Sequence, residues 1–350
     1  MATNRFPLFR LPHLALCMVL GLFSPHQIIK LSFCSKRSLQ TAKKCWNKKR
    51  SVKALLKADE VSSICLVFAE TYHIIHVADI QELRKKRTKK IRIGDKVVRC
   101  IHKKTDTFTF WKDKIHGIGQ LIDYIKELFD VPIYGIDLEE EEHPNEFIDT
   151  MDCIMSRQES VHICLLRGDG CFIDDCLTHL LDSCKITGEL EIHGRLSAGF
   201  RHDWNISLDG LHVSDGSCIT LQNLMNMDCK SLKLYRSSLT SEDINQFLKD
   251  WQNGGHSRIR CANIQMFRSM NHNIITQGIQ TVPQPLGLSR SYPFLRDEKM
   301  MINGGLDLQR NDGKTGTICL HDGFFEFGVD PIEVLDGSVE RLIGDFDNIL

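Results

Sequence analysis

Six residues between positions 162 and 184 are of the types that hold metal: His162, Cys164, Cys171, Cys176, His179 and Cys184. Thiolate and imidazole would suit tetrahedral zinc, but such sites use close pairs of the C-x-x-C and H-x-x-x-H kind. No C-x-x-C pair occurs in the chain, and the six alternate with expected strand and helix core positions. They read as packing, and no metal is assigned. His73 and His76 lie on an apolar run without the Glu of a zinc-peptidase helix. Arg167-Gly-Asp-Gly170 lacks the G-x-x-x-x-G-K-[ST] pattern that cradles phosphate and reads as a strand-to-helix turn. There is no G-x-S-x-G nucleophile elbow and no dinucleotide fingerprint. The expectation is a chain with no catalytic residues and no cofactor.

Composition narrows the class further. The chain has 350 residues, 42% hydrophobic and 25% charged, which is a globular composition with enough apolar content for a sizeable core. The formal charge is −1, yet it is unevenly placed: Arg84 to Arg92 (RKKRTKKIR) is basic and Asp137 to Glu146 is acidic. These are local fields, and no nucleic acid is expected as the partner of the whole. The basic run reads as a solvated hairpin loop, with a nuclear-localisation or anionic-partner patch as the sharper alternative. Fourteen cysteines, scattered and mostly in apolar surroundings, are expected to be reduced and buried in a cytoplasmic or nuclear protein. Beyond the N-terminal run, no apolar stretch approaches the roughly 20 residues of a membrane span, so no membrane partner is expected.

The elements begin with residues 6 to 46. Pro12 can open a helix carrying Leu16, Val19, Leu20 and Phe23. Ser24-Pro25-His26-Gln27 has the form of a capping box opening a second helix with Ile28, Ile29 and Leu31, and Ser35 can cap a third helix through about Trp46. Three such helices in about forty residues cannot bury a core alone, so a partner should cover what they expose.

Phe6-Pro7-Leu8, Leu11-Pro12, Val19-Leu20, Pro25, Ile28-Ile29, Leu31-Ser32 and Ser35-Lys36-Arg37 resemble an F-box, as found in a large class of nematode F-box proteins. The resemblance implies docking onto a Skp-family adaptor, with cullin reached through that adaptor. It assigns Phe6, Pro7, Leu8, Leu11, Pro12, Leu20, Ile28 and Leu31 to the adaptor contact. His13 and Ala15 stand where acidic residues are common in F-boxes, and Cys34 where Val is usual. The alternative for the same stretch is a signal peptide: Arg5 and Arg10 precede the apolar or small run Leu14 to Phe23. Against it, Pro7, Pro12 and His13 interrupt the approach and Ser24-Pro25-His26 is no small-x-small cleavage site. That alternative makes the chain a secreted or membrane-associated repeat-type binding protein with a cleaved N-terminus. A third reading keeps the F-box fold without ligase function.

Farther on, Trp46 to Asp59 is lysine-rich and reads as a connection. Strands are expected at Ser63 to Phe68, Tyr72 to Val77, Ile91 to Ile101 and Thr107 to Trp111. Residues 116 to 129 form a clear amphipathic helix, followed by a strand Ile133 to Leu138, a helix Asn145 to Ser156 and a strand Val161 to Leu166. Strand-like pieces then centre on Ile163, Leu190, Leu211, Leu232 and Ile259, at spacings of 27, 21, 21 and 27 residues, the period of leucine-rich-repeat-like units. Thr220 and Thr240 open the intervening helices, and Gly254-Gly255 closes the second. Past Phe267 a helix or loop broken by Pro283 and Pro285 is expected, then a hairpin turning at Asn311-Asp-Gly-Lys314 and a strand Phe324 to Val329.

Gly210 to Leu224 and Cys229 to Gly255, the latter with the block Ser-Leu-Thr-Ser-Glu-Asp-Ile-Asn-Gln-Phe-Leu-Lys-Asp-Trp ending at Trp251, resemble the type-two F-box-associated domain of nematode F-box proteins, over roughly residues 186 to 266. This implies recruitment of a protein substrate, whose identity and binding residues are unknown. The expected fold class is mixed α/β: an N-terminal three-helix F-box, an irregular leucine-rich-repeat-like α/β domain and a β-hairpin-rich C-terminal tail. The expected domains are 4–48, a mixed strand/helix lead-in at 60–135, a substrate-binding region at 136–266 and the tail at 267–350. The expected function is the non-catalytic substrate-recognition adaptor of an SCF-type ubiquitin ligase.

Overall fold

A computed structural model of the protein describes residues 8–46, 51–59, 61–69, 71–83, 87–140, 144–295 and 298–336, the side chains of residues 140, 144 and 169–171 excepted. The chain divides into two compact units, Met1–Arg167 with Asp182–Lys185, and Gly168–Leu181 with Ile186–Leu350.

The first unit opens with α1 (His13–Gly21), α2 (Pro25–Ser32) and α3 (Lys36–Cys45). The capping box at Ser24 and Gln27 forms as the sequence predicts, and the Ser35 hydroxyl accepts from the Ser38 amide at 3.1 Å. Then come β1 (Val52–Ala58), β2 (Ser63–Phe68), β3 (Thr71–Asp79), β4 (Lys89–Ile93), β5 (Lys96–His102), β6 (Asp106–Trp111), α4 (Lys114–Phe129), β7 (Ile133–Glu140), α5 (Pro144–Met155) and β8 (Val161–Phe172, whose residues from Gly168 belong to the second unit). The pairings run β4, β5, β6, β3, β2, β1, β7. Among these pairings β6 with β3 and β1 with β7 are parallel. Alternating burial along β2 places Ile64, Leu66 and Phe68 inside, and α4 buries Leu121, Ile122, Ile125, Leu128 and Phe129.

The three N-terminal helices do not form a free-standing F-box. Ser32 and Tyr124 hydroxyls share a short hydrogen bond, Phe33 stacks on Tyr124 at 5.0 Å, and Trp46 meets Phe129 edge-on at 5.0 Å. The His26 and His73 rings are bonded Nδ1 to Nδ1 at 3.1 Å, joining α2 to β3. Three short helices lack the apolar area to stand alone, and here the chain's own α4 and sheet provide most of the cover.

The second unit holds α6 (Asp174–Ser183, whose last two residues belong to the first), β9 (Ile186–Arg195), β10 (Ser207–Val213), α7 (Leu221–Asn226), β11 (Asp228–Ser237), α8 (Ser241–Gln252), β12 (Cys261–Met266), α9 (His272–Ile275), β13 (Thr281–Pro293), β14 (Lys299–Gln309), β15 (Thr315–His321), β16 (Phe324–Val329) and β17 (Glu333–Asp336). Strands β9, β10, β11 and β12 are parallel neighbours. The far edge of β12 is closed by antiparallel β16, followed by β15, β14, β13 and β17.

This corrects the leucine-rich-repeat expectation. Seventeen strands and nine α-helices occur among the described residues, in mixed parallel and antiparallel sheet. No helix separates β9 from β10, Ile259 precedes β12, and an antiparallel strand fills the edge that the next repeat would need. The expected tail is a continuation of that sheet. A period of apolar segments reveals strand–helix units but not which strand pairs with which.

Candidate protein-interaction site

Two exposed surfaces stand out, one in each unit. On α1, Leu16 and Leu20 are 7% and 1% exposed and face inward, while Leu14, Met18 and the C-cap residue Leu22 are 76%, 69% and 86% exposed. The exposed three recur every fourth residue and so share one helix face. Fully covering each would contribute about 1.5–3 kcal/mol.

The residues assigned from sequence to the adaptor contact divide. Phe6 and Pro7 lie outside the described residues; Leu8, Leu11 and Leu31 are half-buried and Pro12 is exposed. Leu20 and Ile28 are each 1% exposed and belong to the chain's own core. Sequence reading missed Leu14, Met18 and Leu22 because residues 14–23 are apolar or small all round, which hides the inward face. The usable signal was the excess itself, since one helix cannot bury every side.

Cys17 on α1 and Cys45 ending α3 form a disulfide with Cα atoms 4.8 Å apart. This corrects the expectation of uniformly reduced cysteines. Adjacent placement of α1 and α3 brings together two residues 28 apart in sequence. Among the described residues eleven other cysteines are free, and burial pushes Cys184 and Cys218 up to about 12. Such groups are thiols rather than thiolate ligands. Cys164 and Cys176 of the sequence cluster are fully buried, and among the described residues the cluster forms no ligand group.

The second surface is one face of the second unit's sheet. Its opposite face is apolar: Leu211, Leu232, Leu234, Ile264, Phe325 and Phe327 are buried. The register aligns Leu211 with Leu232 and Ile264 with Phe325. Phe247 on α8 packs edge-on to Phe325 and Phe327, and Trp251 to Phe327 at 5.0 Å. The Thr240–Asp243 capping box fixes the start of α8.

Period-two alternation sends the intervening residues to the other side. There Glu191 and His193 of β9 meet His212 of β10, Lys233 and Tyr235 of β11, Asn263 of β12, Glu326 of β16 and His321 of β15. One end of this face is roofed: the Tyr292 ring lies over Gly328, where an added Cβ would sit 2.5 Å from it, and Tyr292 packs with Cys261, Met300 and Ile302. The rest is a polar and aromatic shelf.

Most of its polar groups are partnered, as low exposure requires, while Asn263 Oδ1 is buried without a hydrogen bond. Glu191, 6% exposed, meets His193 Nε2 at 3.2 Å, and Ser214 Oγ bonds His193 Nδ1 at 2.9 Å. Glu326, 9% exposed, accepts from Asn263 Nδ2 at 3.1 Å and meets His321 Nε2 at 3.0 Å. Aromatic contacts link the ends: His193 to His212 at 4.7 Å, His212 to Tyr235 at 5.5 Å and Tyr235 to Phe324 at 6.3 Å. Lys233 Nζ lies 5.4 Å from the Tyr235 centroid. Glu191, His193 and His212, and likewise Cys319, His321 and Glu326, have ligand atoms within 4.8 Å of one another and are spaced to hold a cation. Sequence reading missed these residues because strands from separate segments assemble them.

Residues 199–264 match the protein family described as F-box associated. The match runs from just before β10 into β12, taking in α7, α8, His212, Lys233, Tyr235 and Asn263. The resemblance to an F-box-associated domain is therefore borne out over this segment, while the F-box itself is matched by no family model. Two Caenorhabditis elegans proteins are similar. One, described as uncharacterized protein F59B2.8, is 20% identical across 90% of this chain and 74% of its own length. The other, the Skn-1 dependent zygotic transcript 15 protein, is 21% identical across 60% of this chain and 62% of its own length, under two thirds of it. No solved structure matches.

Proposed function

We propose that this chain is a non-catalytic substrate-recognition subunit of an SCF-type ubiquitin ligase, working in the cytoplasm or nucleus, a location that fits the eleven free cysteines among the described residues and to which the Cys17–Cys45 disulfide is the exception. A Skp-family adaptor covers the exposed row Leu14, Met18 and Leu22 of α1, flanked by Leu11 and Pro12, and cullin is reached through that adaptor. The second unit's shelf holds the protein target, so that ubiquitin transfer depends on proximity to a separately supplied conjugating enzyme.

The observation that carries the reading is the F-box-associated match over residues 199–264 in a chain that also exposes an apolar helix row. An apolar row of this kind calls for a partner of matching character. The shelf suits recognition of a target because His193 and Glu326 are already fixed by their neighbours, and a rigid aromatic such as Tyr235 is a frequent source of binding energy.

The test is co-purification of the full chain with a Skp-family adaptor and cullin, beside a Leu14→Ser, Met18→Ser, Leu22→Ser variant. Retention by the parent and loss by the variant supports the reading. No adaptor on either would refute it, and a mature N-terminus near Ser24 would favour the secreted alternative. That alternative removes α1 with its buried Leu16 and Leu20, leaving their cavities in the first unit.

A further inference from the structure

The strongest charge feature of the chain lies on neither surface. Residues 84–112 contain twelve Lys or Arg and two Asp, a local excess of ten positive charges in a chain whose total is −1. Strands β4 and β5 carry the middle of this run as an antiparallel ribbon, with Ile91, Ile93, Val98 and Cys100 inward and Lys90, Arg92, Val97 and Arg99 outward. Between this ribbon and the start of α4 lies a groove of about 590 Å³, lined by Lys90, Lys96, Arg99 and Lys112 over Val98, Phe110 and Trp111.

Three features make this groove more than a solvated face. Lys90 and Arg99 are direct cross-strand partners, and like charges opposite one another on a ribbon repel. Of the nearby carboxylates, Asp95 pairs with Lys36, and Asp113, at the α4 end of the groove, accepts from the His116 amide at 3.0 Å to cap α4. Among the described residues, none of Lys90, Lys96, Arg99 and Lys112 has an ion-pair partner.

We propose that this groove binds an acidic, extended segment of a partner protein. Four unpaired cations beside an apolar floor complement carboxylate or phosphoryl groups carried on a peptide, whose stem can rest on exposed Val97. Single-stranded nucleic acid is the lesser fit, because bases need exposed aromatic faces to stack on and both Phe110 and Trp111 are only 5% exposed. This site is separate from the proposed adaptor row and does not depend on it.

The experiment uses the full chain and fluorescence anisotropy with a fluorescein-labelled ten-residue glutamate peptide, a ten-residue lysine peptide and a ten-nucleotide thymidine strand. Saturable binding of the glutamate peptide is expected, weakened several-fold between 50 and 200 mM salt and at least tenfold by Lys90→Gln with Arg99→Gln. A second variant, Lys96→Gln with Lys112→Gln, is expected to weaken binding in the same sense. The first variant should melt no lower than the parent, since it removes a repulsion. Absence of saturable binding at 50 mM salt would overturn the proposal. So would unchanged binding by both variants, or tighter binding of the thymidine strand than of the glutamate peptide.

Discussion

On α1 the exposed apolar row is Leu14, Met18 and Leu22, with no charge among the three; on the second unit's shelf half-buried His193, Lys233, Tyr235 and Asn263 lie with exposed His321, several of them laced by hydrogen bonds. The first surface gains by being covered and asks little of its partner beyond shape. The second gains little from simple covering, because any partner must replace the water on its polar groups with well-placed bonds. One surface suits a constant partner and the other suits discrimination among targets.

The sharpest way to break this comparison is to mutate the two sides of α1. Leu20→Ala should lower folding stability by about 2–5 kcal/mol, measured by denaturant unfolding, because it opens a cavity under the helix. Leu14→Ser with Met18→Ser should leave stability nearly unchanged while abolishing adaptor retention. Equal losses of stability would erase the distinction between inner and outer faces.

The joint between α2 and β3 gives a pH-dependent effect. Burial foremost, then the positive fields of His26 and Lys30, lowers the pKa of His73 to about 3. The folded pKa lies below the unfolded value, so the neutral form is the one that folds. Its contribution is fully present above pH 6.5 and is lost as pH falls from 6.5 toward 3. Between pH 7 and 5 the loss should be about 2 kcal/mol, at roughly 1.4 kcal/mol per pH unit below the unfolded pKa. Thermal unfolding across that range should show the decline, and His73→Gln should flatten it.

On the shelf, Asn263→Ala leaves Glu326 with His321 but without its amide donor. A loss of about 1–3 kcal/mol is expected on chemical unfolding. Tyr235→Ala should weaken target capture with a smaller change in stability. The smallest effect is at a helix start: Thr240→Ala removes the hydroxyl that accepts from the Asp243 amide at 3.2 Å, for a loss of about 1 kcal/mol.

Local signals in the sequence were legible where one segment carried them whole. The Ser24 and Thr240 capping boxes, the α4 stripe from Ile118 to Phe129, and the hairpin turning at Asn311 to Lys314 all form. Strand β1 was taken for a polar connection because Lys53 and Lys57 dominate its composition, yet they alternate with buried Ala54 and Leu56. Strand β13 runs through Pro283 and Pro285, which the sequence suggested would break a helix or loop; the register shifts between Gln284 and Ser289, where ladder bonding is interrupted. The shelf was illegible because His193, Tyr235 and Glu326 become neighbours only through pairings that local patterns do not encode.

Titration calorimetry of the purified full chain with a purified Skp-family adaptor reads out binding at the outer face of α1. The account predicts saturable binding with a negative heat-capacity change, weakened by at least a hundredfold in the Leu14→Ser, Met18→Ser, Leu22→Ser variant, whose unfolding curve matches the parent. Undetectable binding by the parent, or equal affinity of parent and variant, would contradict it.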